Sequence, residues 1–364
     1  MVFPLVISGA LSGQAAPAGD TAYFYQGLEY GSDEVFDPVT VTIGATYNIF
    51  QSGRFRNRPL DIDYATGAEN VAYNLAHPVR QISRFGWGEF LRNEIIPLDF
   101  FQRKRVAFLP NYTMHLVGGC GITYRGLEEW YQAQGFPWPR PAAVATTLGY
   151  EFLVEAGENS GYQGVNTDAI ADFWVFNLSG LLLFSSDRVA AFFSRTLEAA
   201  DWTTPAMFDP FHGVLDNASQ NYGLKIPLPY LSRWKLFAYF GYNCLVGASY
   251  RLRPEYALSG GFGLAVNQLQ AVVESQHEGR RMDADLVWNA GLFLDRKRSL
   301  LASLIASGTR YYKIKLNVFP LPGLGWKGLR PAFFTALGQE NEFIGGITLS
   351  YLPVGLSFRT GEGE

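Results

Sequence analysis

The segment LFAYFGYNCLVGASYRL, residues 236–252, places an apolar side chain at every even position. The odd positions between them include Asn243, Ser249 and Arg251. Strict alternation with a period of two puts the two sets on opposite faces of a β-sheet. Shorter runs of the same kind follow at 312–318, 343–350 and 354–358. We therefore expect the region 220–360 to form the strands of a mainly β fold.

The composition is compatible with a sheet that contacts lipid. Charged residues make up 17% of the chain, against about 25% in an average soluble protein. Glycine is abundant, with 39 among 364 residues, and 15% of the residues are aromatic. An apolar content of 48% excludes intrinsic disorder. The net charge of −4, without a basic block, argues against a nucleic-acid partner.

Segments of about ten residues with one apolar and one polar face are typical of transmembrane β-barrels. A similar alternation at 39–50 predicts that residues 21–50 hold the first strands. The predicted fold is a transmembrane antiparallel β-barrel of roughly 10–12 strands. A soluble β-sandwich or lipocalin-like barrel with its apolar face inward is the alternative. Alternation alone does not distinguish the two.

Residues 65–202 change period and predict an α-helical insert, either a periplasmic bundle or a plug in the barrel. Helices are expected at 79–95, 111–134, 141–157, 167–184 and 187–200. The uncharged run 173–186 is shorter than the 20 or so residues that a membrane-spanning helix needs.

The first residues and the two cysteines bear on location. Residues 1–16 combine a short apolar stretch with small residues and predict a secretory signal peptide, although no basic residue precedes the stretch. Cys120 falls in a helical pattern and Cys244 in a strand pattern. A disulfide in an exported protein and two free thiols are both compatible with this arrangement.

Acidic residues and one histidine recur at helical spacing in the insert. Three glutamates are spaced by four and three, and two aspartates by four, which places each set on one helix face. The candidate catalytic residues are His115, Glu151, Glu155, Asp168 and Asp172. A histidine beside a carboxylate could act as a general base, and with several carboxylates it could hold a metal.

The alternative is a structural network that ties the helices together through hydrogen bonds. Its expected members are His115, Glu155, Asp172 and Asn177. A single histidine is not a metal-binding signature, and no HExxH or GxSxG motif occurs. The sequence therefore predicts neither a metal nor a cofactor.

Three stretches of the insert, residues 74–96, 110–136 and 168–184, resemble a group of bacterial outer-membrane barrels that carry a domain of unknown function. Small periplasmic lipoproteins share this helical pattern. It has a histidine early in one helix, a glutamate pair in the next, and Asp, Asn and Gly along a third. The matching positions here are His115, Glu151 with Glu155, Asp168 or Asp172, Asn177 and Gly180. The resemblance implies an outer-membrane location and a plugged barrel, and it implies no reaction.

The predicted function is a non-enzymatic channel, or a structural or assembly component, in the bacterial outer membrane. Its partners would be outer-membrane lipid and proteins on the periplasmic side. One alternative is a barrel-embedded enzyme that modifies lipid, with His115 and a carboxylate as its base. Another alternative is a scaffold subunit of a surface complex.

Overall fold

The computed structural model describes residues 22–48, 57–96, 110–273, 279–323, 325, 329–338, 342–350 and 352–360. Helices precede strands along the chain, so the described residues before 200 form what we call the helical unit. The predicted signal peptide, residues 1–16, lies outside the described residues.

The helical unit contains ten α-helical segments among the described residues. They are Gly31–Glu34, Pro38–Asn48, Tyr64–Ala76, Pro78–Phe85, Trp87–Phe90, Tyr124–Ala133, Pro139–Asn159, Thr167–Ala171, Leu178–Phe184 and Asp187–Ala191. Wider π-type turns extend several of them, at Leu91–Ile95, Asn111–Thr123, Asp172–Asn177 and Phe192–Thr196, and Pro59–Asp61 forms a 3₁₀ turn. The five predicted helices are confirmed, with ends shifted by a few residues. The helix Tyr64–Ala76 was not predicted.

The prediction of strands within 21–50 is wrong, because Pro38–Asn48 is a helix. Asp37 caps it by accepting a hydrogen bond from the backbone N–H of Thr40 at 3.0 Å, and proline is favoured at the first helical position. Val41 and Ala45, four residues apart, share its buried face. The alternating threonines and valines are compatible with a strand or a helix. The Asp37 cap followed by Pro38 favours the helix. Among the described residues every strand follows residue 199, so the helical unit precedes the sheet there and is not inserted between strands.

The second half of the chain forms one 13-stranded sheet. Its strands are β1 Ala200–Asp201, β2 Ala206–Asp209, β3 Val214–Asp216, β4 Tyr222–Pro227, β5 Trp234–Phe240, β6 Asn243–Arg251, β7 Tyr256–Val273, β8 Arg280–Arg296, β9 Ser299–Ser307, β10 Ile314–Val318, β11 Pro331–Leu337, β12 Phe343–Leu349 and β13 Val354–Arg359. Neighbours pair antiparallel, except for β13 and β2, which are parallel. A mainly antiparallel sheet with a helical unit is therefore confirmed.

The ladder of strands runs β1-β4-β5 and onward to β13-β2-β3, and it does not close on itself. One hairpin nevertheless connects its two ends in sequence. Ala200 pairs with Gly223, Thr204 with Ser219, and Asp209 with Val214. All three pairs share one antiparallel register, so 200–209 and 214–223 are the two arms of a single hairpin.

The apolar face of the sheet is the exposed one. Val246 in β6 and Phe262 in β7 are cross-strand partners, and each is 63% exposed. On the opposite face of the same strands, Ser259 donates a hydrogen bond to Ser249 at 2.9 Å, and both serines are buried. Sequence alternation left open which face points inward. The structure turns the polar face towards the interior.

The helical unit lies against this inner face. Val35 belongs to a buried cluster with Trp202, Phe237 and Phe293. The backbone N–H of Asp33 donates to the Ser299 hydroxyl at 3.1 Å, which ties the first helical turn to β9. The interior of the sheet therefore holds apolar contacts and polar bonds to the helices.

One described helical stretch, Thr167–Phe184, is long and apolar enough by length and composition to cross a membrane. Of this window, 56% is buried inside the protein, as expected for a core helix. The two cysteines are free: Cys120 is buried in the helical unit and Cys244 is exposed on β6.

Candidate functional site

Three long helices, over 111–133, 139–159 and 167–184, bring the predicted site residues together. His115 lies on the first, the glutamates on the second, and the aspartates with Asn177 on the third. The parts of the first and third helices that carry His115, Asp172 and Asn177 have π-type turns. Such turns are rare and are often found at functional sites.

His115 is at the centre of the site. Its Nδ1 atom lies 3.0 Å from Glu151 Oε2 and 3.1 Å from Asn177 Oδ1. Its Nε2 atom lies 3.4 Å from Asp172 Oδ2. Both ring nitrogens therefore face acceptors on the two neighbouring helices, so the three helices converge at His115.

The carboxylates around His115 favour its charged form. Burial by itself lowers the pKa of the imidazole, but the negative charges of Glu151, Glu155 and Asp168 outweigh it and raise the pKa to about 9. The imidazolium of His115 then forms ion pairs with Glu151 through Nδ1 and with Asp172 through Nε2. A histidine held in this charged state is a poor general base at neutral pH.

Close packing at glycines makes room for the site. A Cβ atom at Gly119 would collide with Glu151 Oε1, and one at Gly180 would collide with the backbone of Leu116. Glu151 Oε1 also receives a weak hydrogen bond from the Cys120 thiol at 3.8 Å. Burial raises the pKa of this thiol well above its usual range, which disfavours a reactive thiolate.

Glu155 and Asp172 are deeply buried in the site, each only 2% exposed. Burial, followed by the nearby charge of Asp172, raises the pKa of Glu155 well above its usual range. Glu155 Oε2 and Asp172 Oδ1 have no hydrogen-bond partner in the part of the chain that the structure describes. His115, Glu155 and Asp172 each offer one ligand atom, and these atoms lie within 4.8 Å of one another.

Asp168 lies one turn before Asp172, at the start of its helix. It forms a second group with Glu155 and Glu158, in which three carboxylate oxygens lie within 4.8 Å of one another. All five candidate residues, together with Asn177, are therefore part of one site. Helical spacing indicates which of these side chains share a face, and the structure places them close together.

A set of asparagines that the sequence analysis missed supports the site. Asn74 Oδ1 accepts the backbone N–H of Asn166 at 2.9 Å, and Asn166 caps the helix that carries Asp168 and Asp172. Asn159 donates to the backbone oxygen of Glu155 at 2.8 Å and accepts from Asn70 at 3.0 Å. The only sequence signal for this set was its amide content within helical stretches.

Comparison with protein-family models, with curated proteins and with solved structures finds no match for this chain.

Proposed function

We propose that this protein is a bacterial outer-membrane β-barrel whose interior is occupied by its own helical unit, and that it acts as an occluded channel or as a structural component. The single observation that carries this proposal is the inverted sheet. Its apolar side chains face outward, and its polar side chains are buried. Lipid-facing apolar and inward polar residues alternate in the same way along membrane barrels.

The exposed apolar face extends over most of the sheet. Large apolar side chains between 37% and 64% exposed occur on every strand from β4 to β13. They include Ile226, Leu236, Val246, Phe262, Leu292, Leu304, Leu316, Phe333, Ile347 and Leu356. Soluble monomers rarely expose contiguous apolar patches larger than a few hundred Å². In a soluble lipocalin-like barrel, these residues would line the interior.

The opposite face supports the same orientation. Polar residues on the strands are buried there, including Asn289, Ser303 and Asn317. In water, a sheet with a polar core and an apolar surface would be destabilised on both faces. In a bilayer, the outward face meets hydrocarbon, while the interior can satisfy its polar groups with one another.

Strand pairing supports a closed wall. If the single-register hairpin 200–209 and 214–223 joins the two ends of the ladder, its two arms and the nine strands β5–β13 form a ring of eleven. A ring with an odd number of otherwise antiparallel strands must contain one parallel pair. The β13–β2 pair is parallel. Closure would also remove the unpaired edges that cannot exist in contact with lipid.

The interior of this ring is filled rather than open. Arg330 on the approach to β11 donates to Glu34 of the helical unit at 2.7 Å. A cavity of about 50 Å³ lies between Asn48 and residues of the strands, among them Tyr242, Ser307 and Lys315. Such a cavity holds a few water molecules at most. We therefore expect no steady ion conductance from the intact protein in planar bilayers.

Cys244 offers a direct test, because it is the exposed cysteine and lies on the outward face of β6. A nitroxide attached to Cys244 in a Cys120→Ala background, in lipid vesicles, should collide more with oxygen than with a water-soluble nickel chelate. The matched control is Arg253→Cys with Cys244→Ser, because Arg253 lies in the exposed bend between β6 and β7. Its label should show the reverse order.

Preferential access of the nickel chelate to Cys244 would overturn the proposal. A protein that stays monodisperse without detergent would overturn it as well. The chain would then be a soluble exported protein, and the lipid-facing interpretation of Val246 and Phe262 would be wrong.

A further inference from the structure

We infer that His115, Glu155 and Asp172 form a binding site for a divalent transition-metal ion inside the helical unit. The inference does not depend on where the sheet is located, because all three residues come from helices. It assigns a ligand to a site that would otherwise be only a polar contact between helices.

The ligand set has suitable chemistry and spacing. One imidazole nitrogen and two carboxylate oxygens lie within 4.8 Å of one another. An ion bound at about 2.1 Å from each ligand needs those atoms to be about 3.0–3.4 Å apart. Side-chain adjustments of about 1 Å therefore close the set around an ion. Imidazole with carboxylates suits zinc, manganese or iron better than calcium, which prefers oxygen alone.

The unpartnered oxygens are an independent observation that points to a ligand. Glu155 Oε2 and Asp172 Oδ1 belong to side chains that are 98% buried, and neither atom has a hydrogen-bond partner among the described residues. A buried carboxylate oxygen without a partner is costly, and buried charges are normally paired or bound to metals. An ion in contact with both side chains would remove this cost.

The charge balance points the same way. The charged groups that act most strongly on Glu155 are Asp172, Glu158 and Asp168, all of them acidic, followed by His115. Asp172 in turn is surrounded by Asp168, Glu94, Glu155 and Glu158. Among these groups His115 is the one that can carry a positive charge. A divalent cation would displace its Nε2 proton and add further positive charge to this acidic, buried group.

The orientation of His115 is that of a metal ligand with an outer partner. Its Nδ1 atom is held by Glu151 at 3.0 Å and by Asn177 at 3.1 Å, while Nε2 faces Asp172. Metal-binding histidines usually donate their second ring N–H to a carboxylate or carbonyl, which fixes the tautomer. Glu151 has this position, so it is expected to position His115 rather than to bind the ion.

The test is zinc binding to the full chain, purified without a polyhistidine tag and stripped with a chelator. Calorimetric titration should show zinc bound by the wild-type protein. Asp172→Asn and Glu155→Gln should each weaken the affinity at least 30-fold, because each removes one ligand charge and keeps the shape. The matched control is His212→Asn. His212 is also paired with an aspartate, Asp209 at 2.8 Å, but lies outside the site. Its zinc affinity should equal that of the wild type.

Cobalt provides a second measurement that reports on the ligands themselves. The stripped protein loaded with Co²⁺ should show visible d–d absorption that is lost in His115→Gln and kept in His212→Asn. Circular dichroism spectra matching the wild type establish that each variant is folded. Absence of zinc binding by the folded wild-type protein would overturn the inference. Equal affinity in the folded Glu155→Gln and Asp172→Asn variants would overturn it as well. If the protein proves soluble, the same titration in detergent-free buffer still tests the site.

Discussion

Gly118 lies against the ring of Tyr222, so the helix over 111–133 and strand β4 touch with no space between them. Tyr222 is fully buried there, and its hydroxyl lies 2.8 Å from Thr123 Oγ1 on the same helix. A Cβ atom at Gly118 would overlap carbon atoms of the ring. This contact fixes how closely the helical unit approaches the sheet.

We expect Gly118→Ala to lower the free energy of unfolding by about 2 kcal/mol, because the added methyl group forces the helix away from Tyr222. Gly149→Ala is the matched control. Gly149 is also in a helix, and nothing lies within 4 Å of a Cβ atom there. Alanine at that position should stabilise the protein by about 1 kcal/mol. Denaturant unfolding followed by tryptophan fluorescence measures both. Equal effects would show that the Gly118 contact is not tight.

The Glu129 side chain binds the backbone of the segment that leads into the first helix. Its two oxygens accept the backbone N–H groups of Tyr23, Phe24 and Tyr25 at 2.8–2.9 Å, and the side chain is buried. Glu129→Gln places an amide donor against these donors, so we expect a loss of about 3 kcal/mol.

Glu128→Gln is the control for the hydrogen bonds that Glu129 makes. Glu128 is also buried, but it pairs with the side chains of Arg125 and Arg140. A glutamine oxygen can still accept hydrogen bonds from them, so this substitution should cost about 1 kcal/mol. Limited proteolysis should also cleave near Tyr25 in the Glu129 variant before it cleaves the Glu128 variant. Similar unfolding free energies for the two variants would contradict the stabilising role of the Glu129 hydrogen bonds.

Asp33 should make stability depend on pH. Burial raises its pKa from 3.8 to about 7, although the backbone N–H groups of Leu28 and Gln26 partly counteract the shift. The folded state thus binds the proton more tightly than the unfolded chain. This contribution to stability is fully present below pH 3.8 and is lost as the pH rises to about 7.

The melting temperature of Asp33→Asn relative to the wild type should therefore rise between pH 4 and pH 8. Asparagine has no group that titrates in this range, so the variant does not lose stability in this way as the pH rises. A constant difference between the two proteins would show that Asp33 titrates normally in the folded state. Measurement relative to wild type cancels the other groups that titrate.

Phe262 tests the depth of the lipid-facing band. In a bilayer, Phe262→Arg should destabilise the folded protein by about 3 kcal/mol, as arginine does near the membrane midplane of barrels. Phe211→Arg is the control, because Phe211 is 86% exposed in the turn between β2 and β3. It should fold as the wild type does. Refolding into vesicles, followed by the heat-dependent gel shift, reports both outcomes.

Local patterns predicted much of this fold. The long helices and the strands after 220 are predicted by the periodicity of their apolar residues. The prediction over 38–48 is wrong because alternating β-branched residues fit a strand pattern, whereas the Asp37 cap and the proline after it start a helix. The sequence could indicate which residues of each helix lie together at the site, because spacing on a helix fixes which side chains share a face.

Other features depend on tertiary distance and have no local signal. Nothing near Glu129 in sequence indicates that it binds a backbone segment about a hundred residues away. The sequence also did not determine that the polar face of the sheet points inward, since alternation defines two faces but not which one meets solvent. The parallel pairing of β13 with β2 could not be inferred either.

That pairing has a consequence for biogenesis. β2 begins at Ala206 and β13 begins at Val354, so the hairpin that starts the sheet gains its second neighbour only when the last strand has been made. Until residues 354–356 have been synthesised, β2 has no partner on that side. Such long-range pairing is slow to form. The first hairpin of the sheet therefore keeps an unpaired edge until β13 reaches it, and the sheet is completed by one of the latest contacts to form.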